Sequence, residues 1–179
     1  MEYHLTIPLQ KDDVFKLHIR DVVYMTGTIF TARDEAHQLM LDLAVDSVPF
    51  NPAEMALFHC GPLMKSVKGN WHVVSAGPTT SSRMELFEDR FIAKYSITTI
   101  IGKGGMGNRT RQALLKYGAV YAALTGGAGA LVADMVDEVL DVFWLERLGM
   151  PEAVWLLKVE DFGPLIIAMD AHGDSLYSR

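Results

Sequence analysis

The sequence predicts an α/β fold built on a layered mixed sheet with crossover helices. Two observations carry this. A unit of apolar run, small-residue turn and helical pattern recurs through the middle of the chain, the grammar of parallel strands joined by crossovers. The last third then turns to aromatic and β-branched runs that suit strand partners of another kind.

From the N-terminus, Leu5, Ile7 and Leu9 alternate with polar neighbours, as a half-buried strand requires. Asp12 to Leu17 fits one or two helical turns, with acids early and Lys16 late, as the helix dipole prefers. Asp21 to Phe30 is rich in β-branched and aromatic residues and reads as a strand, with Gly27 marking a bulge. A helix opens at Arg33, where Ala36, Leu39, Met40 and Leu43 recur at helical spacing. Four strand-and-turn units follow: Ala56–Cys60 into Gly61-Pro62, His72–Ala76 into Gly77-Pro78, Ser96–Ile101 into Gly102-Lys103-Gly104, and Ala119–Leu124 into Thr125-Gly126-Gly127. Trp144, Val154, Trp155, Leu157, Val159 and Leu165–Met169 read as hairpin or edge strands. No linker, long repeat or low-complexity tract divides the 179 residues. A chain of that length buries roughly 70% of its unfolded surface, so one domain over 1–179 is expected.

Composition narrows the function. Half of the residues are hydrophobic and the formal net charge is -6, which argues against disorder and against a general nucleic-acid footprint. Any cationic site must therefore be local. Cys60 is the one cysteine, so it makes no internal disulfide and cannot alone hold zinc or an iron-sulfur cluster. The opening residues lack a signal-peptide pattern and no uncharged apolar run is long enough to span a bilayer. A soluble cytoplasmic protein is expected.

Gly102, Gly104 and Gly107 fit G-x-G-x-x-G between a strand and a helix, the context of a dinucleotide fingerprint. The acidic residue that would hold a ribose is missing, because the next strand ends in Leu124, Thr125 and Gly126. A nucleotide-binding module using the 102–107 loop is one alternative, and plain tight turns with close helix packing another. Neither accounts for Lys103, whose donors in a glycine loop suit an anion. Arg83 follows the Gly77-Pro78 turn, and Arg33 follows the strand that contains Gly27. Three cations at strand-to-helix transitions suit two carboxylates, since arginine offers a planar fork and lysine a point charge. Between two of them stand the hydroxyls of Thr79, Thr80, Ser81 and Ser82, which are turn chemistry or the mouth of an active site.

Five segments, Thr31-Ala-Arg-Asp-Glu-Ala-His37, Ser75-Ala-Gly-Pro-Thr-Thr-Ser-Ser-Arg-Met84, Ile101-Gly-Lys-Gly-Gly-Met106, Gly126-Gly-Ala-Gly-Ala-Leu131 and Val159-Glu-Asp-Phe-Gly-Pro164, occur in the order of signatures of a known family. Through them the chain resembles the β subunit of class I fumarate hydratase and L(+)-tartrate dehydratase, over nearly its whole length. The resemblance implies a swivelling β/β/α domain and an iron-sulfur hydro-lyase. It also implies a 4Fe-4S cluster held by a separate α subunit, and an active site between α and β in a dimer of heterodimers. It places the catalytic base at Thr79 and substrate contacts at Arg33, Arg83 and Lys103, with the acid partner on the α side. Thr80 is adjacent and chemically identical, so choosing Thr79 rests on the resemblance. A threonine hydroxyl is a weak acid, and its alkoxide needs strong positive potential from Arg83, Lys103 and the metal.

The structural alternative for Thr79 is a helix N-cap, a role that Thr80 or Ser81 can also fill. His37 either orients a cleft residue or is a satisfied structural histidine. Asp34 is a candidate partner for an arginine, Cys60 a small buried thiol, and Trp144 and Trp155 core or interface residues. The function expected is the β subunit of a hydro-lyase interconverting fumarate and (S)-malate, inactive without its α partner. The nearest alternative is the β subunit of L(+)-tartrate dehydratase.

Overall fold

The computed structural model of the protein describes residues 1–125, 127 and 129–177. In chain order its elements are β1 (Glu2–Thr6), α1 (Lys11–Lys16), β2 (Val22–Thr31), α2 (Asp34–Asp42), β3 (Ala56–Phe58), β4 (Leu63–Val67), β5 (Asn70–Ser75), α3 (Glu85–Tyr95), β6 (Thr99–Gly102), α4 (Asn108–Tyr117), β7 (Val120–Ala123), α5 (Gly129–Asp134), β8 (Val136–Phe143), α6 (Leu145–Leu148) and β9 (Val154–Met169). Gly126 and Ala128 of the 126–131 glycine segment lie outside the described residues.

Strands β1, β2, β3, β6 and β7 are parallel neighbours in that order, so their carboxyl ends share one edge. β9 runs antiparallel to β2, β7 and β8 and completes a mixed sheet. Side chains alternate across a strand, and each parallel strand therefore feeds two cores. Ile29, Phe58, Ile101 and Ala122 pack in one cluster with Trp155, Leu157 and Phe162 of β9. Phe30, Leu57, Ile100 and Tyr121 pack in the other with Met40 of α2, Phe91 and Tyr95 of α3, and Leu114 of α4. Burial on both faces explains why these strands read as continuous apolar runs and do not alternate.

Several expectations hold in altered form. Gly27 does mark an irregularity: its φ is +142° and the β2–β9 register shifts between Met25 and Gly27. The His72–Ala76 segment is not a unit of the parallel sheet. It belongs to β5, which pairs with β4 in a separate two-stranded sheet. Lys68 and Gly69 both take positive φ between them, and that turn folds a chain straight back on itself. Trp144 is not in a strand; it caps α6 at φ +60°. Val154 through Met169 form one strand of 16 residues in place of two short ones. β8 went unread because its register shifts between Val136 and Glu138 and between Val139 and Asp141 break the period of two. Among the described residues, no helix is long and apolar enough to cross a membrane.

Candidate active site

The chain leaves each parallel strand at the same edge of the sheet, and there it places the four residues singled out by sequence. Arg33 follows β2 and caps α2. Lys103 follows β6 directly. Between them lies the segment that carries Thr79. Its Pro78 bridges Cys60 beyond β3, and its Thr80 bridges Lys103 beyond β6. The Thr79 N–H donates to His59 O at 2.8 Å, and the Ser81 N–H donates to Lys103 O at 2.9 Å. Arg83 stands in the short 3-10 turn Ser81–Met84 that opens α3. The structure thus gathers Arg33, Thr79, Arg83 and Lys103 at the ends of the adjacent strands β2, β3 and β6. A cavity of about 540 Å³ between β5 and β8 lies elsewhere, lined by Trp71, Val73 and Val136–Val142.

The cations differ in their company. Arg33 Nε lies 3.1 Å from Glu152 Oε1, and both side chains are largely covered. Burial pushes the Glu152 carboxyl up, and Arg33 pulls it back. Arg83 is half exposed and donates through Nη2 to Asp34 Oδ2 at 2.8 Å, so Asp34 does pair with an arginine. Lys103 has no ion-pair partner among the described residues. Thr79 is half-buried, whereas Thr80 is exposed. Neither Thr79 nor Thr80 caps a helix through its side chain: Thr80 holds the cap position of the 3-10 turn without a side-chain hydrogen bond.

Behind this edge lies a fully buried polar cluster that sequence reasoning largely missed. His59, Ser81, His37 and Glu88 are each 0% exposed. His59 Nδ1 lies 2.9 Å from Ser81 Oγ, and His59 Nε2 lies 3.0 Å from Glu88 Oε2. His37 Nδ1 donates to Arg33 O at 2.7 Å, and its Nε2 lies 3.5 Å from the same Glu88 oxygen. The hydroxyl of Tyr121 reaches Ser81 Oγ at 2.9 Å and Gly104 O at 3.0 Å, and the Lys103 N–H donates to Ser81 Oγ at 3.1 Å. Burial works to raise the Glu88 carboxyl, but His59 and His37 hold it down at about 2. Burial pushes the His59 imidazole down, against the pull of Glu88. Two imidazoles and a carboxylate are ligand types for a divalent cation. Here the 3.0 Å contact of His59 with Glu88 is a hydrogen bond already made. One signal was present in the sequence: Glu88 heads the stripe Phe91, Ile92, Tyr95, a single acid on an otherwise apolar helix face.

Cys60 is buried, as expected of a small core thiol, and burial pushes its pKa up while Arg33 acts against that shift. Trp155 is core. The glycine loop is filled by the protein itself. The backbone N–H groups of Gly107, Arg109 and Thr110 at the start of α4 all donate to the Glu85 carboxylate, at 2.7, 3.1 and 3.3 Å. These are the donors a dinucleotide pyrophosphate would need, so the nucleotide-binding alternative loses its site. Gly102 serves close packing, because a Cβ there would lie 1.9 Å from Ser81 Oγ.

Cations and a hydroxyl at the carboxyl ends of parallel strands make this edge of a mixed α/β domain the candidate site. The chain belongs to the family described as Fumarase C-terminus, whose model matches residues 2–179. It is 48% identical over 181 residues to a protein of Methanocaldococcus jannaschii provisionally named L(+)-tartrate dehydratase subunit beta, covering 100% of this chain and 92% of that one. It is 40% identical over 179 residues to the L(+)-tartrate dehydratase subunit beta of Escherichia coli K12, covering 100% and 88%. A protein of Geobacillus stearothermophilus provisionally named fumarate hydratase class I is 41% identical over 174 residues, which are 97% of this chain and 33% of that longer one.

Proposed function

We propose that this chain is the β subunit of a hydro-lyase that adds water to, or removes it from, a C4 dicarboxylate. The reading taken first is the interconversion of fumarate and (S)-malate. The observation that carries it is the gathering of Arg33, Thr79, Arg83 and Lys103 at the ends of β2, β3 and β6. Arg33 and Arg83 hold the substrate carboxylates by their planar forks, and Lys103 adds a point charge. Thr79 Oγ1, as the alkoxide, takes the proton from the carbon beside a carboxylate and becomes a neutral hydroxyl. The electron pair moves into that carboxylate, where the same three cations meet the developing charge. Thr79 is favoured over Thr80 because it is half-buried beside His59, while Thr80 is exposed.

L(+)-tartrate is the second reading. It is favoured by the names of the two relatives at 48% and 40% identity, which this chain matches over 92% and 88% of their length.

The family implies a 4Fe-4S cluster, and the residues of this chain do not fit it: Cys60 is the one cysteine and is buried. The resemblance implies that the cluster and the acid that protonates the leaving hydroxyl belong to an α subunit, with α and β paired as a dimer of heterodimers in a reducing cytoplasm. The two cores on either side of the parallel strands support a single swivelling β/β/α domain over 1–179. Co-expression with a cysteine-bearing partner, anaerobic cluster reconstitution and parallel assays on fumarate, (S)-malate and L(+)-tartrate test the reading. Turnover that appears only in the complex is the expected result, and activity of this chain alone without metal would overturn it.

A further inference from the structure

The buried cluster behind the site makes more contacts than its neutral side chains have hydrogens. Carbonyl oxygens and an ionised carboxylate only accept, and a hydroxyl has one hydrogen to give. Five contacts therefore need one hydrogen each: His37 with Arg33 O, His59 with Glu88, His59 with Ser81, Ser81 with Tyr121, and Tyr121 with Gly104 O. Neutral His37, His59, Ser81 and Tyr121 bring four. The Lys103 N–H supplies its own hydrogen to Ser81 Oγ and cannot serve the others. With four hydrogens one contact would set lone pair against lone pair, and a buried polar group left unmatched is destabilising.

Charge burial leads to the same count. A neutral imidazole beside an ionised Glu88 would leave an uncompensated negative charge where both side chains are 0% exposed. One more proton makes the pair neutral. The other charged groups nearby are engaged: Asp34 on α2 with Arg83, and Arg33 with Glu152. His37 faces the same carboxylate from α2, at 3.5 Å. From β7, Tyr121 presents a hydroxyl that burial keeps protonated. Burial alone strips a lone imidazole of its proton, but the two groups here titrate as a unit.

We propose that the His59–Glu88 pair holds this fifth proton, so that His59 Nδ1 carries a hydrogen and donates to Ser81, and that both act as positioning residues for the Lys103 loop. The direction of the chain is then fixed. His59 Nδ1–H donates to Ser81 Oγ, the Ser81 hydroxyl to Tyr121, and the Tyr121 hydroxyl to Gly104 O. Ser81 Oγ keeps one lone pair for the Lys103 N–H, so two consecutive residues of the loop are pinned from below. The positioning role rests on the hydro-lyase reading, and the protonation state does not.

The test is a long-range proton–nitrogen spectrum of the full chain carrying 15N-histidine, from about pH 5.5 to about 8.5, which brackets the ordinary histidine pKa. Of the six histidines, His4, His18, His72 and His172 are exposed, and single replacements of His37 and His59 assign the two buried rings. Both buried rings are expected to carry a hydrogen on Nδ1 at neutral pH. A bare Nδ1 on either ring of the wild-type chain overturns the proposal. In Glu88→Gln the amide N–H can donate to His59 Nε2, as a protonated carboxyl would, so His59 is expected to keep its hydrogen on Nδ1 and to show a bare Nε2. Ser81→Ala severs the link between His59 and Lys103, and in the assembled enzyme the dicarboxylate KM should rise about 3- to 10-fold with kcat near the parent, the equivalent of one hydrogen bond. An unchanged KM in Ser81→Ala overturns the positioning role. An inactive wild-type complex would count against the hydro-lyase reading and leave the ring spectrum as it is.

Discussion

The Arg33 side chain occupies the space that a side chain on Gly61 would fill. A Cβ built on Gly61 would stand 2.8 Å from Arg33 Cδ and 2.9 Å from its Nη1, and 2.7 Å from the backbone oxygen of Pro151. The contact with the carbonyl forces a small shift of the main chain, and the arginine must swing aside as well. Gly61→Ala should therefore displace the guanidinium while the fold stays intact by circular dichroism. Misplacement of a substrate-holding group by about 1 Å can cost about 10²-fold, and kcat/KM of the α–β complex should fall toward that extent.

Thr79 and Thr80 separate by kinetics. Loss of a general base typically costs about 10²- to 10⁴-fold in rate. Thr79→Ala should lower kcat by that much with substrate still bound, and Thr80→Ala should stay near the parent. Calorimetric binding beside steady-state rates makes the comparison, and equal damage from both variants would refute the assignment of the base.

Gly102→Ala should be destabilising. The added methyl would lie 1.9 Å from Ser81 Oγ and 3.1 Å from both His59 Nδ1 and the Tyr121 hydroxyl. Overpacking of this kind costs about 1–3 kcal/mol, and the urea midpoint should drop accordingly.

Acid stability should depend on Glu88. Burial would raise its carboxyl, but His59 and His37 hold it at about 2 in the folded chain, below the ordinary value of 4.5. The unfolded chain takes up the proton first as pH falls. The stabilisation is therefore complete above about 4.5 and is lost as pH drops through about 2. Denaturant titrations across that window should show the wild type losing stability more steeply than Glu88→Gln.

Local pattern carried much of the fold. The apolar runs at Ala56–Phe58, Thr99–Gly102 and Val120–Ala123 were legible because burial on both faces demands them. The hairpin was missed because Lys65 and Ser66 interrupt the apolar residues of its first arm, Leu63–Val67, and its second arm read as one more unit of the parallel sheet. Of the site, the cations announced themselves by standing beside glycine turns. His59 did not, since one histidine in an apolar strand has no period to break. Its meaning comes from Ser81 and Glu88, residues 22 and 29 positions away, and only the folded chain makes them neighbours.

β9 pairs with β2, β7 and β8 and supplies residues to both cores. Translation delivers the chain from its amino end, so this strand leaves the ribosome after all the others. A nascent polypeptide halted before Val154 carries β2 and β7 with open edges, the state most exposed to mispairing. Final closure of the sheet must wait for Met169, and pairings this distant in sequence make that last step slow.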